Sequence, residues 1–174
     1  MARRQPSNVP AVRINVVDDV PLIGWREWIA LPGLKIDPIK AKIDSGARTS
    51  AIHAFDIQAF TERGSPHVSF IIHPDQRRSK PAVACVAAIQ DERVVKSSSG
   101  HQQRRYVIEV EVSVGDYAWP IELTLADRDP MGFRMLLGRE AIRQRFLIDP
   151  SRSFLIGRSF ADITTIFTSR KKMK

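Results

Sequence analysis

With 174 residues, 43% of them hydrophobic, the chain is long enough to bury one core without disulfides or a structural metal, and two domains would be cramped in it. No run of about 18 apolar residues exists to cross a bilayer, and the basic start MARRQPSNVPAVR has no apolar stretch behind it, so neither a membrane span nor a secretory signal is expected and the cytoplasm is the expected compartment. Cys85 is the only cysteine, which excludes an internal disulfide and a cysteine-based zinc site, while the formal charge of +8 suggests an acidic partner, whether nucleic acid, a membrane surface or an acidic peptide, among which composition does not choose.

Residues 1–18 lack sustained periodicity and contain Pro6 and Pro10, so they read as a flexible basic N-terminal arm. The domain is expected over residues 19–160. Its first strand is Leu22 to Leu31, which mixes aromatic and β-favouring residues and stops at Pro32-Gly33. A second strand, Ile39 to Ile43, runs into Asp44, where Ser45-Gly46 breaks it. Further strands are expected at Val68 to Ile72, Val83 to Ile89, Val94 to Lys96, Tyr106 to Val114 and Trp119 to Leu125. The alternation is clearest from Tyr106 to Val114, and Gly115-Asp116 is a short hairpin connection to the next strand. Only Arg139 to Phe146, just after Gly138, has helical spacing, with Ala141, Ile142 and Phe146 on one side. Residues 161–174 form a basic C-terminal tail with Arg170, Lys171, Lys172 and Lys174. Many short strands separated by turns, with one late helix, point to a mainly β barrel or sandwich rather than a parallel βαβ sheet.

The candidate chemistry sits at Asp44-Ser45-Gly46. A carboxylate that activates water needs a rigid position, hydrogen-bond donors to tune it and room for a substrate backbone. Asp44 supplies the acid or base, Ser45 a supporting hydroxyl and Gly46 an unobstructed amide. The same three residues make ordinary turns, so the tripeptide alone says little. A second element strengthens it: Met135-Leu136-Leu137-Gly138-Arg139-Glu140 is an apolar strand ending in glycine and opening into a helix. In retropepsin-like folds such a piece packs behind the catalytic loop.

The stretch from Ala41 through Asp44-Ser45-Gly46 to Ala54 resembles the signature of the family that goes by the name of ATP-dependent zinc proteases. So do Arg105-Tyr106-Val107-Ile108, Ile121 to Leu125, Asp127-Arg128, Met131, Met135 to Arg139 and Phe146 to Pro150, so that the likeness runs from about Ile23 to Ser153. The resemblance implies a retropepsin-like (acid protease) closed barrel with one short C-terminal helix. It also implies a link to a glutamate ligase that adds glutamates to a ribosomal protein, and hence an acidic peptide or glutamate-tailed protein as substrate. Ser45 stands where the family usually has threonine, keeping the hydroxyl, and Arg134 stands where it often has proline.

The family's name claims more than these residues support. No His-Glu-x-x-His pattern is present, His53, His67, His73 and His101 are scattered, and no Gly-rich phosphate loop ends in Gly-Lys-Ser/Thr, so neither zinc nor ATP is expected as a cofactor. There is no basic stripe interleaved with aromatics and no nucleic-acid motif, so nucleic acid is not an expected partner.

Aspartic peptidases use two carboxylates that share one proton, and this chain offers one such loop. Two arrangements are open. A homodimer would bring the two Asp44 residues together at a two-fold axis. Alternatively Asp44 works in one subunit beside cations such as Lys42, Arg105 or Arg139, with Lys42 on the same strand face as Asp44. Asp127, Asp129 and Asp149 read as turn residues. The candidate substrate-binding residues are Lys42, Arg48, Thr49, Arg105 and Arg139, since arginine grips carboxylates through paired hydrogen bonds. The expected function is an aspartic-peptidase-type hydrolase that removes or trims glutamate-rich tails. The rival is a catalytically inactive binding module of the same fold for an acidic peptide or ribosomal partner.

Overall fold

The structure, a computed structural model, describes residues 20–76, 80–96, 100, 102–126 and 132–156. The expected arm 1–18 and tail 161–174 lie outside the described residues, as do His101, Asp127, Arg128, Asp129 and Met131. The fold is mainly β. In chain order the strands are β1 (Leu22–Gly24), β2 (Arg26–Leu31), β3 (Ile36–Asp44), β4 (Ser50–His53), β5 (Phe55–Glu62), β6 (Ser65–Ile72), β7 (Val83–Ala88), β8 (Asp91–Lys96), β9 (Gln102–Val114), β10 (Tyr117–Ala126), β11 (Met135–Gly138) and β12 (Leu147–Asp149). The helix α1 (Arg139–Ile142) follows β11 directly.

Strand pairings run round a closed ring in the order β10, β4, β11, β3, β2, β9 and back to β10. The link between β2 and β9 is made at Ala30 and Ser113, whereas β9 and β10 pair along eight positions from Val107 to Val114. The first half of β9 leaves the ring and pairs with β8 as a hairpin. A separate three-stranded sheet, β5-β6-β7, lies on the same hydrophobic cluster through Val68, Phe70, Ile72 and Cys85. The inward residues are those that alternation selects: Ile29 and Leu31 on β2, Ile39 and Ala41 on β3, Val110 and Val112 on β9, Leu123 and Leu125 on β10, and Met135 and Leu137 on β11 are all buried.

Several expectations hold with extended ends, and three differ. The run from Leu22 to Leu31 is two strands, because β1 pairs with β12 in its own small parallel sheet and the chain changes sheets at Trp25. At that change a Cβ on Gly24 would lie 2.5 Å from the Arg152 carbonyl oxygen, a close approach that only glycine permits. Helix α1 is a single turn rather than a helix to Phe146, since Gln144 adopts a left-handed φ of 63°. Ala141, Ile142 and Phe146 are nonetheless all buried. Strand β5 has no counterpart among the expected elements: Asp56, Gln58, Thr61 and Glu62 break up its apolar residues, and six of its eight residues are exposed.

Gly115 and Asp116 form the expected tight connection, with Tyr117 paired to Val114. Gly115 has a φ of +59°, and a Cβ there would meet the Ile156 carbonyl at 2.7 Å. Among the described residues no helix is long and apolar enough to cross a membrane.

Candidate active site

Strands β3 and β4 flank the Asp44 loop without pairing with each other. β11 is inserted between them, parallel to β3 with Gly138 opposite Asp44, and antiparallel to β4 with Met135 opposite Ile52. A segment ninety residues away thus separates the two arms of the loop and reaches its end where the loop begins. At that point the backbone of the loop is tied to the start of α1: the Arg139 amide donates to the Ala47 carbonyl at 2.8 Å, and the Glu140 amide to the Arg48 carbonyl at 3.0 Å.

Inside the loop, Oδ1 of Asp44 accepts from the amides of Gly46 at 3.1 Å and Ala47 at 3.2 Å, and Oδ2 accepts from Lys42 Nζ at 3.2 Å. Partial burial works to raise the Asp44 pKa, but the Lys42 ammonium and the two backbone amides outweigh it and hold the carboxyl below its ordinary value. Asp44 is therefore an oriented, ionised carboxylate at neutral pH.

The buried hydroxyl that braces the loop belongs to Ser50. Its Oγ accepts the Gly138 amide at 3.1 Å, and its carbonyl accepts the Thr124 hydroxyl at 2.9 Å. This links β4, β10 and β11 immediately behind Asp44. Ser45 is exposed and contributes its carbonyl, which accepts from Arg139 Nη1 at 2.8 Å; its hydroxyl makes no hydrogen bond among the described residues. Of the candidate substrate-binding residues, Lys42 touches Asp44 and Arg139 touches the loop. Arg48 and Thr49 line a cavity of about 260 Å³ between the loop, β10 and α1. Arg105 lies elsewhere: its Nε donates to Gln103, and it lines a different cavity with Phe55, Ile57 and Tyr106 that includes no residue of the Asp44 loop.

Other nucleophiles and ligands can be placed as well. Burial pushes the Cys85 thiol up to about 11, so it stays protonated and is a poor nucleophile. His53 is buried with its ring against Phe55, and His73 packs on the other contact of the same ring, while His67 faces the Ser65 carbonyl and Glu62. Among the described residues no three His, Cys, Asp or Glu side chains come together as a metal-binding group.

Residues that sequence reasoning left out of the site are Ser50, Thr124 and the cavity residues Trp119, Glu122 and Arg145. Ser50 and Thr124 are polar yet fully inward on apolar strands, a pattern break that does mark them in the sequence. Trp119, Glu122 and Arg145 meet only through the tertiary fold.

Comparison with known proteins follows the same geometry. The model of the RimB-like family, described as retropepsin-like aspartic endopeptidase RimB, matches residues 22–159. The chain is 50% identical over 136 residues to a "Probable alpha-L-glutamate ligase" of Shewanella pealeana (strain ATCC 700345 / ANG-SQ1), covering 78% of this chain and 30% of that protein. A protein of the same name from Desulfotalea psychrophila (strain LSv54 / DSM 12343) is 46% identical over 136 residues, 29% of its length. The chain thus spans under a third of the curated relatives it matches. A crystal structure of Lpg0085, a protein of unknown function (DUF785) from Legionella pneumophila subsp. pneumophila str. Philadelphia 1, superposes with a TM-score of 0.66 at 23% identity, over 78% of this chain and 98% of that one. That likeness concerns the fold alone. The zinc-protease name suggested by the resemblance is absent from these matches, whereas the Asp44 loop with β11 threaded behind it and the match over 22–159 agree: the chain belongs to the RimB-like family of retropepsin-like aspartic endopeptidases.

Proposed function

We propose that this chain is an aspartic-peptidase-type hydrolase that removes or trims glutamate-rich tails, with Asp44 as its acid/base. The observation that carries the reading is the state of Asp44: an ionised carboxylate, fixed by two backbone amides at a strand end. A carboxylate so held is already ionised and oriented, and takes a proton from water through Oδ2 when Lys42 gives way. The relatives named for glutamate ligation support a glutamyl substrate, since they carry this domain within a longer chain. The net charge of +8 favours an acidic substrate by electrostatic attraction.

Attack on a peptide carbonyl needs a second group to protonate or polarise the oxygen. In a shared-proton dyad this is another carboxylate, and the retropepsin-like reading supplies it from Asp44 of a second copy in a homodimer built from two closed barrels. Lys42 bears on this. Its ammonium on Oδ2 favours the ionised form, whereas a dyad must hold one proton between two carboxylates. Lys42 is about half exposed, so it is free to turn aside when a second carboxylate arrives.

A second reading rests on the same ion pair. With Oδ2 occupied by Lys42, Asp44 acts as a structural anchor of the loop, and the domain is a binding module for an acidic peptide or ribosomal partner. Asp44→Asn separates the two. Release of glutamate from a glutamate-tailed peptide, followed by mass spectrometry, stops in this variant if Asp44 is the acid/base. If wild-type protein binds the peptide and releases nothing, the binding reading stands.

A further inference from the structure

The cavity beside the Asp44 loop has two arginines whose side chains make no hydrogen bond among the described residues, and two glutamates that are each held by an arginine. Arg48, Thr49 and Ser50 form its loop wall, Trp119 and Glu122 its β10 wall, and Glu140 and Arg145 the wall from α1 and the turn after it. Glu122 accepts from Nη1 and Nη2 of Arg93, at 2.5 and 2.7 Å, and Arg93 Nε is held by Asp91. Glu140 pairs with Arg143 at 2.9 Å. Neither Arg93 nor Arg143 lines the cavity. Arg48 lies close enough to Glu122 to help keep that carboxyl ionised but makes no hydrogen bond with it, and among the described residues neither Arg48 nor Arg145 forms an ion pair.

We infer that this cavity is a specificity subsite that receives one carboxylate side chain of the substrate, with Arg145 and Arg48 as its recognition groups. The inference rests on the hydrolase reading for the position of the scissile bond. Three features set the ligand class. Arg145 stacks its guanidinium over the buried Trp119 ring, 5.5 Å from the centroid, which limits its rotamers and leaves its edge available to a planar carboxylate. Arg48 also lines the cavity and belongs to the same loop as Asp44, so whatever it grips is held near the acid/base. At about 260 Å³ the space falls below the size of pockets for whole small molecules and suits a single side chain.

The subsite is tested by binding and kept apart from catalysis. In an Asp44→Asn background, where no turnover intrudes, calorimetry with a short oligo-glutamate peptide and its oligo-glutamine counterpart is compared before and after Arg145→Gln. Loss of a charge-assisted contact is expected to weaken the glutamate peptide by about tenfold or more and to leave the glutamine peptide unchanged. Arg145→Lys, which keeps the charge but not the fork, is expected to fall between. Unchanged affinity for the glutamate peptide in Arg145→Gln, equal weakening of both peptides, or no binding of the glutamate peptide before the Arg145 change overturns the subsite. A wild-type protein that binds the glutamate peptide through Arg145 yet never cleaves it overturns the hydrolase reading and leaves the subsite standing.

Discussion

Gly138 and Thr49 meet so closely that a methyl group on Gly138 would lie 2.5 Å from the Thr49 carbonyl carbon and 2.6 Å from its oxygen. The φ of Gly138 is −80°, which any residue adopts, so glycine is needed here for space and not for conformation. Gly138→Ala must push β11 away from the loop that carries Asp44. The expected cost is about 1–3 kcal/mol in urea unfolding; on the proposed hydrolase reading, release of glutamate from a glutamate-tailed peptide falls by more than the folded fraction, because the displaced backbone is the one that fixes the Asp44 loop.

Ser50 makes a comparable bridge from the other strand. Removing its hydroxyl in Ser50→Ala leaves the buried Gly138 amide without an acceptor, at about 1–3 kcal/mol. Thr124→Val removes the donor to the Ser50 carbonyl instead, and is expected to cost about 1 kcal/mol. The double variant is expected to fall short of the sum, since both side chains serve one joint; additive values in a double-mutant cycle would show the two bonds to be independent.

The Asp44 loop was legible in the sequence because Asp-Ser-Gly ends an apolar strand and because Met135 to Gly138 repeats the strand-to-glycine form later in the chain. Strands β9 and β10 were legible from their alternation, which holds over Ile108 to Val112 and Trp119 to Leu123. β5 was not, since its residues are mostly exposed and carry no apolar stripe. Nor was the insertion of β11 between β3 and β4, because pairing between segments ninety residues apart leaves no local pattern. The division of Leu22 to Leu31 follows from Arg152, whose carbonyl accepts the Trp25 amide at 3.0 Å, a partner remote in sequence.

Glu27 shows how such a remote partner is fixed. It is fully buried on β2, and its Oε1 accepts both the Gly24 and Leu155 amides at 2.8 Å, tying the segment after β12 across the change of sheets. Glu27→Ala strands these amides and is expected to cost about 2–5 kcal/mol. Glu27→Gln, which keeps a carbonyl acceptor, is expected to cost less. Amide hydrogen exchange at Leu155 reads the effect locally, and protection there that survives Glu27→Ala would count against the tie.

Lys42 controls the acid side of Asp44. Because the folded-state pKa of Asp44 is depressed, its contribution to stability is fully present above the ordinary value of 3.8 and is lost as pH falls through the lower folded-state value. Lys42→Met raises that folded value toward the ordinary one. As pH falls below 3.8 and through the lower folded-state value, the variant and wild type should converge in stability, whereas at neutral pH the variant should be weaker by less than about 1 kcal/mol, since both side chains of the pair are partly exposed. The acidic limb of the rate profile should move upward in pH if Asp44 must be ionised to act. A limb that does not move would assign it to another group.

Whether the second catalytic group comes from another copy is open to a direct count. In a two-fold dyad each site needs an intact Asp44 from both subunits. Mixing equal amounts of wild-type and Asp44→Asn protein, with exchange of subunits, leaves about a quarter of the dimers with two aspartates, so activity per total protein falls to about a quarter of the unmixed wild type. A single-carboxylate site assisted by Lys42 loses only the share of chains that carry asparagine, and activity falls to about a half. The hydrogen bonds at Asp44 make the outcome informative either way. Oδ1 is fixed by Gly46 and Ala47 within the chain, so only Oδ2, now on Lys42, is open to a partner carboxylate. The quarter result would therefore mean that Lys42 yields its place on Oδ2 when the dimer forms. Combining Lys42→Met with the mixing experiment should then strengthen dimerisation at low pH, where the shared proton is supplied, and sedimentation at matched pH measures this directly.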